Sequence, residues 1–171
     1  EYVSTLLQVL GYKNTGETAK KIVDFEKKIA NTYLTNEQVR DATLQYNPMT
    51  MPQLNKIVKT VNIPDYLKNV GVNTDKVIIG EKKFYENFDK LINEKNLPVI
   101  KDYLKFHLLA NSASYLTQDL DNKKFDFYGK YLNGQQEQRA LNKRAYQLIN
   151  GSLGEAFGKL YVEKYFPASA K

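Results

Sequence analysis

The residue best suited to chemistry in this chain is its single histidine, His107, because the chain contains no cysteine. A histidine can serve as a metal ligand or as a general base. Helical metal motifs such as H-E-x-x-H place an acid and a second histidine within one turn, but His107 has the apolar neighbours Phe106, Leu108 and Leu109. A catalytic zinc normally takes about three protein ligands. We therefore predict a histidine of the core or an interface, and no catalytic, cofactor-binding or metal-binding residue.

The other polar residues form no recognisable nucleophile or acid–base pair. Without cysteine there is no thiol nucleophile, and the chain lacks the G-x-S-x-G sequence that exposes a serine nucleophile at a tight turn. Asp119 and Asp121 are two carboxylates close in sequence, but we expect both at the exposed end of a helix. We therefore assign neither of them a catalytic role.

Three glycines, Gly151, Gly154 and Gly158, interrupt an otherwise helical pattern. Each costs about 1 kcal/mol relative to alanine inside a helix, so a compensating benefit is expected. A phosphate-binding loop would need its glycines between a strand and a helix, which is not their position. We predict that the glycines allow a neighbouring helix to approach closely, and the alternative is that they form a hinge.

The bulk composition indicates a soluble globular protein, since 42% of the 171 residues are apolar and 26% are charged. The net charge of +6 would suit nucleic-acid binding. However, only Arg40, Arg139 and Arg144 are arginines, and the lysine pairs have acids nearby, as on a solvated helix face. We therefore predict no nucleic-acid partner. No run of about eighteen apolar residues occurs, which predicts no membrane span.

Apolar residues recur with helical periodicity along most of the chain, which predicts an all-α fold of about eight helices. The one β signal is the run Val77–Ile79, where we expect at most one tiny β element. Gly11 is placed to end the first helix, and Thr50 to cap a helix that contains Pro52. No linker divides the sequence, so we predict a single helical domain over residues 1–171.

The longest predicted helix runs from about Gln136 to Tyr165 and would measure about 45 Å at 1.5 Å per residue. We expect it to form a spine with an inward apolar face. That face comprises Leu141, Ala145, Leu148, Ile149, Leu153, Phe157 and Leu160.

The chain is rich in aromatic residues, with 13 tyrosines and 8 phenylalanines. Tyrosine combines apolar area with a polar tip, so some of these residues could line a groove for peptides, although most are expected in the core. The first candidates for such a groove are Tyr128, Tyr131, Tyr161 and Tyr165.

Four segments, in order along the chain, resemble the neprilysin-type zinc metallopeptidase family. Tyr46 to Leu54 is similar to the family's Y-N-x-M-T-L-x-x-L segment, and Lys76 to Gly80 is similar to a short strand that precedes an aromatic helix. Asp102 to Leu109 resembles the Y-L-x-W/F-x-L-L helix. The most specific match is the final stretch from Asn150 to Pro167.

The resemblance implies a two-domain zinc endopeptidase in which a helical domain faces a thermolysin-like catalytic domain across a closed chamber. The catalytic domain carries an H-E-x-x-H motif, which does not occur here. This chain would then be the N-terminal helical lid, which admits oligopeptides and excludes folded proteins. Its partners would be the catalytic domain of the same polypeptide and oligopeptide substrates. Zinc would belong to the parent protein, and we expect this chain alone to be inactive.

One residue indicates which branch of the family the chain resembles. Secreted animal relatives carry a cysteine where this chain has Ala145, so the resemblance implies a bacterial enzyme of the oligopeptidase O or neutral endopeptidase type. The absence of cysteine suits a reducing compartment. We expect a cytoplasmic location, with the bacterial cell surface or secretion as the alternative.

Two further expectations concern the extent and the class of the protein. The chain opens inside an apolar pattern at Tyr2 and Val3, which predicts that it is cut from a longer protein. The alternative function is a stand-alone helical interaction module without catalysis. The peptidase hypothesis predicts that an H-E-x-x-H helix follows in the parent polypeptide, whereas the interaction-module hypothesis does not.

Overall fold

Helices dominate residues 1–170, the part of the chain described by this computed structural model. These residues form ten α-helices, one π-helix and a sheet of two short strands, so the predicted all-α fold is confirmed. The helices are more numerous than expected, in part because the helix predicted from Gln136 to Tyr165 is divided at Leu153. None of the described helices is long and apolar enough to cross a membrane.

The chain separates into two compact units, one over Glu1–Leu116 and one from Thr117 onwards. The elements of the first unit are α1 (Tyr2–Val9), α2 (Thr15–Ala30), α3 (Ala42–Gln45), β1 (Asn47–Thr50), α4 (Met51–Ile57), α5 (Ile63–Asn69), β2 (Lys76–Ile79), α6 (Lys82–Leu91) and α7 (Leu97–Ser112). Those of the second unit are α8 (Gln118–Lys124), the π-helix (Phe125–Leu132), α9 (Leu141–Ser152) and α10 (Gly154–Tyr165).

Two helix boundaries form where the sequence predicts them. α1 ends in a Schellman motif, in which Gly11 has a φ of +82° and the N–H of Tyr12 donates to the carbonyl of Leu7 at 3.0 Å. α4 begins with a capping box, because the Thr50 hydroxyl accepts from the N–H of Gln53 while the Gln53 side chain accepts from the Thr50 N–H. Both boundary predictions are confirmed.

The strand predicted at Val77–Ile79 is present as β2, and its partner β1 is a finding of the structure. The two strands are antiparallel, with Asn47 opposite Ile79 and Thr50 opposite Lys76. Pro48 made β1 hard to recognise, because proline lacks the N–H that a central strand would donate. A two-stranded sheet has only edge strands, so it accommodates proline.

The core of the first unit lies where α1, α2 and α7 pack together. Leu6 and Leu7 of α1 and Ile22 of α2 are fully buried. Tyr2 of α1 meets Phe106 of α7 edge to face, with ring centroids 6.2 Å apart. A smaller cluster lies beside the sheet and consists of Leu54, Val58 and Ile79.

The prediction of one thirty-residue helix at the C-terminal end is wrong. The chain forms α9 and α10 instead, separated at Leu153, whose φ of −130° and ψ of 32° are not helical. The break lies between Gly151 and Gly154, where helix propensity is lowest. The expected inward face is also wrong for the described residues. Neither helix has a buried residue, and Leu141 and Leu160 are 68% and 62% exposed.

Candidate functional surfaces

His107 joins two helices of the first unit. Its Nε2 lies 2.8 Å from Oε1 of Glu26, which connects α7 to α2. The rings of Tyr103 and Phe106 pack on the imidazole with centroids 4.3 Å and 4.9 Å away. Because its one polar partner is a carboxylate and its other contacts are aromatic, His107 holds helices together in this structure.

A second polar contact in the first unit connects the loop after α1 to α7. The Tyr12 hydroxyl donates to Oδ1 of Asp102 at 2.5 Å, and Nζ of Lys105 lies 3.4 Å from the same hydroxyl. The hydrogen bond to Asp102 raises the pKa of Tyr12 above its ordinary value, with burial adding to the effect. Burial, followed by the charge of Glu26, likewise raises the pKa of Tyr103. These tyrosines stay protonated, so they serve as donors and packing groups.

A concave surface of the first unit lies beside α6, and we call it the α6 cavity. It has a volume of about 570 Å³. An aromatic stack lies next to it, in which the rings of Tyr33 and Phe84 are parallel at 4.8 Å and those of Phe84 and Phe88 stack at 5.1 Å. The Leu34 N–H donates to Oε2 of Glu81 at 2.8 Å, which fixes one rim. The cavity is lined by Leu34, Leu44, Glu81, Lys82, Lys83, Glu86 and Asn87.

The second unit contains a buried ion pair that the sequence interpretation missed. Asp121 of α8 was expected to be exposed, but it is only 5% exposed. Nη1 of Arg144, on α9, lies 3.0 Å from Oδ1 and 2.8 Å from Oδ2 of this carboxylate, and Nε2 of Gln138 donates to Oδ2 at 3.1 Å. The pair itself has no local signal, but Thr117, an N-cap residue, indicates that α8 is a separate helix that contains Asp121. A prediction of α8 as a separate helix would have placed Asp121 inside a helix and not at an exposed helix end.

The glycines that interrupt the last helices do not act as predicted. A Cβ added to Gly151, Gly154 or Gly158 would meet nothing within 4 Å, so no close helix approach needs them in the described part of the chain. The glycine that does need its small size is Gly129 in the π-helix, because a Cβ there would collide with the ring of Phe125. π-Helical turns are uncommon and often occur at functional positions.

The four tyrosines proposed for a peptide groove lie in two aromatic groups of the second unit, one around Phe127 and one on α10. Tyr131 is 79% exposed and stacks on Phe127 at 6.0 Å. Tyr161 and Tyr165 neighbour each other on α10, with centroids 5.0 Å apart. Tyr128 contacts Phe127 edge to face at 5.0 Å. The second unit also has a polar concavity of about 500 Å³ on α9, lined by Arg139, Asn142, Lys143, Tyr146 and Gln147.

These features describe a helical scaffold with concave and apolar surfaces, and comparison with known proteins identifies its class. The model for the N-terminal region of peptidase family M13 matches residues 1–171. The chain therefore belongs to this family of metallopeptidases. It is 30% identical over 169 residues to the neutral endopeptidase of Lactococcus lactis, covering 98% of this chain, and 31% identical over 148 residues to that of Lactobacillus helveticus, covering 86%.

The fold has a close structural counterpart. It matches the zinc metalloprotease Zmp1 of Mycobacterium tuberculosis in its open state with a TM-score of 0.89 and 27% identity, over 99% of this chain. The chain spans only about a quarter of these relatives' own length: 27% of the Lactococcus and Mycobacterium proteins and 23% of the Lactobacillus one.

The residues present do not fit a zinc ion. Within residues 1–170, no three His, Cys, Asp or Glu side chains lie close enough together to hold a metal. His107 is paired with Glu26.

Proposed function

We propose that this chain is the helical, non-catalytic part of a zinc metalloendopeptidase, and that it forms one wall of a chamber that admits oligopeptides and excludes folded proteins. The observation that carries the proposal is the match of the N-terminal family model along the full 171 residues. Relatives that contain this region are called neutral endopeptidases and are about four times longer than it. The catalytic domain and its zinc would lie in the part of the parent polypeptide outside this chain.

Two properties of the chain support a wall that contacts peptides without reacting with them. The α6 cavity combines apolar side chains with both charge signs, represented by Leu34, Glu81 and Lys82. Such a surface suits an extended peptide, whose backbone offers donors and acceptors and whose side chains vary in polarity. The aromatic stack of Tyr33, Phe84 and Phe88 beside the cavity adds rigid apolar area.

The test uses the parent protein with one cleavage sequence presented in three contexts: a short peptide, a longer unstructured peptide and an exposed loop of a folded protein. A size filter predicts that kcat/KM falls with the size of the substrate and is unmeasurable for the folded protein. Unfolding that carrier protein should restore cleavage, which controls for the sequence itself. Equal cleavage of the folded carrier and the short peptide would refute the chamber.

We place the parent protein in the cytoplasm, with the bacterial cell surface or secretion as the alternative. The absence of cysteine throughout the chain supports a reducing compartment. Cell fractionation with an antibody against this chain would decide between the compartments. Recovery of the protein in the cell wall or medium would refute the cytoplasmic proposal.

A stand-alone interaction module is the second candidate, and one observation favours it: the uncovered apolar residues of α9 and α10. The coding sequence of the parent protein separates the two candidates. A downstream H-E-x-x-H helix would support the peptidase, whereas an open reading frame that stops after Lys171 would support the module.

A further inference from the structure

α9 and α10 carry a regular apolar pattern, which we call the α9–α10 stripe: Leu141, Ala145 and Leu148 on α9, Leu153 just before α10, and Ala156 and Leu160 on α10. On α9 the two leucines lie seven residues apart with an alanine between them, and since seven residues make about two helical turns, these three side chains lie on one face. The same spacing is repeated from Leu153, the residue that precedes α10, to Leu160 within α10.

This stripe is exposed along its whole length. The four leucines are 68%, 47%, 62% and 62% exposed in chain order, and neither helix has any buried residue. Single exposed leucines are common on protein surfaces, but a register of leucines continued over two consecutive helices is the pattern of a helix face that packs on a partner. The alanines between the leucines leave room for side chains of that partner to interdigitate.

Two contacts outside the stripe connect these helices to α8 and to each other. Arg144 of α9 is bound to the buried carboxylate of Asp121 on α8. Tyr146 of α9 packs edge to face on Phe157 of α10 with ring centroids 5.1 Å apart. These contacts position α9 and α10 within the second unit, while the leucines of the stripe remain exposed in residues 1–170.

We propose that the α9–α10 stripe is an intramolecular docking face, covered by an apolar surface of the same polypeptide outside residues 1–171. The length of the relatives supports this occupant, since the chain spans only 27% of the Lactococcus neutral endopeptidase. A segment of the same polypeptide is also held at high effective concentration and loses less freedom on docking than a separate molecule. The inference shares with the proposed function the premise of a longer parent protein, but it does not depend on peptidase activity.

The absence of cysteine in this chain allows a direct test. Single cysteines are introduced into the full-length parent at two stripe positions, Leu141→Cys and Leu160→Cys. The matched controls, Asn142→Cys and Lys159→Cys, are neighbouring exposed positions outside the stripe. Maleimide labelling rates are read by mass spectrometry of the peptides that contain residues 141–142 and 159–160, so cysteines elsewhere in the parent do not interfere.

The docking face predicts that each stripe cysteine is labelled at least about ten times more slowly than its neighbouring control, at every protein concentration. Equal rates would overturn the inference. Protection that disappears on dilution would assign the face to a second copy of the chain, and protection that requires an added protein would assign it to a separate partner. Either result also overturns the proposal. If Leu141→Cys lowers the folded yield, the Leu160→Cys and Lys159→Cys pair decides alone.

The result separates this inference from the proposed function. Labelling reports packing in the absence of substrate, whereas the size filter is measured by cleavage. A parent protein that protects the stripe but cleaves folded and short substrates equally would refute the chamber and retain the docking face. A parent protein that excludes folded substrates but leaves both stripe cysteines freely labelled would support the chamber and overturn the docking face.

Discussion

The two units of this chain have similar helical sequences but different cores. In the first unit, α1, α2 and α7 bury their apolar faces on one another, and Leu6, Leu7 and Ile22 are fully inaccessible. Among the buried apolar residues of 1–170, the second unit contributes only Leu120. Amphipathic helices derive most of their stability from packing of the apolar face. In the first unit α1, α2 and α7 serve as packing partners for one another, whereas α9 and α10 of the second unit have no buried residue.

The second unit compensates with polar contacts. Its one deeply buried charged group, Asp121, is bound by Arg144 and Gln138, and this network joins α8 to α9. Such a network fixes geometry, but a buried ion pair often adds little net stability compared with apolar packing. We therefore expect the two units to respond differently to truncation of their leucines.

The largest contrast is expected between Leu7→Ala in the first unit and Leu160→Ala in the second. Leu7 is fully buried, so its truncation should lower the free energy of unfolding by about 2–5 kcal/mol. Leu160 is 62% exposed, and its truncation should change that free energy by less than about 0.5 kcal/mol. Urea denaturation of the 171-residue chain, followed by circular dichroism, measures both. A large loss for Leu160→Ala would mean that the stripe is already packed within this chain.

The next largest effect is expected for Arg144→Ala, which leaves the carboxylate of Asp121 buried without its cation. Breaking a buried pair usually costs about 3–5 kcal/mol. Since the Arg144 side chain is 23% exposed, water can reach the site, and we expect a loss of about 2–3 kcal/mol in the free energy of unfolding. Arg139→Ala is the control, because Arg139 is exposed and has no ion pair in the described chain. Similar losses in both variants would contradict a specific role for the buried network.

The same contrast explains what the sequence could predict. Caps were predicted correctly at Gly11 and Thr50 because their hydrogen bonds form within a few residues. The tiny β element at Val77–Ile79 was recognised from its β-branched residues, whereas Pro48 hid its partner strand. Interactions between residues close in sequence therefore made these helix and strand boundaries predictable.

Long-range contacts account for the errors at the candidate surfaces. The apolar periodicity of α9 and α10 led to the wrong prediction of an inward face, because a periodic pattern cannot say whether a packing partner lies in residues 1–171. The pairing of Asp121 with Arg144 spans 23 positions, which no local pattern reveals. The α6 cavity likewise brings Leu34 and Leu44 together with side chains near Glu81. Family resemblance supplied the class of protein, while these contacts had to come from the structure.

Glycine-to-alanine substitutions should have a smaller effect on the free energy of unfolding, with opposite signs in α10 and in the π-helix. Gly158→Ala in α10 meets nothing within 4 Å, so alanine should raise the free energy of unfolding by about 0.4–1 kcal/mol through lower backbone entropy of the unfolded chain. Gly129→Ala in the π-helix should lower it by about 1–3 kcal/mol, because the new methyl group overlaps the ring of Phe125. Thermal unfolding of both variants measures the difference. Destabilisation by Gly158→Ala would restore the close-packing hypothesis for the last helices.

The smallest effect concerns Asp89 of the first unit, which joins α6 to the segment after α4. Burial alone would raise the pKa of this carboxyl, but hydrogen bonds from the Thr60 hydroxyl and the N–H groups of Thr60 and Lys59 outweigh it and hold the pKa below its ordinary value. A carboxylate with a lowered pKa in the folded state stabilises the protein above its unfolded pKa of about 3.9, and this contribution is lost as the pH falls through the folded pKa. The difference in the free energy of unfolding between the unsubstituted chain and Asp89→Asn should therefore shrink as the pH falls below about 3.9. Urea denaturation at a series of pH values measures it, and a difference that does not change with pH would exclude these hydrogen bonds as the cause.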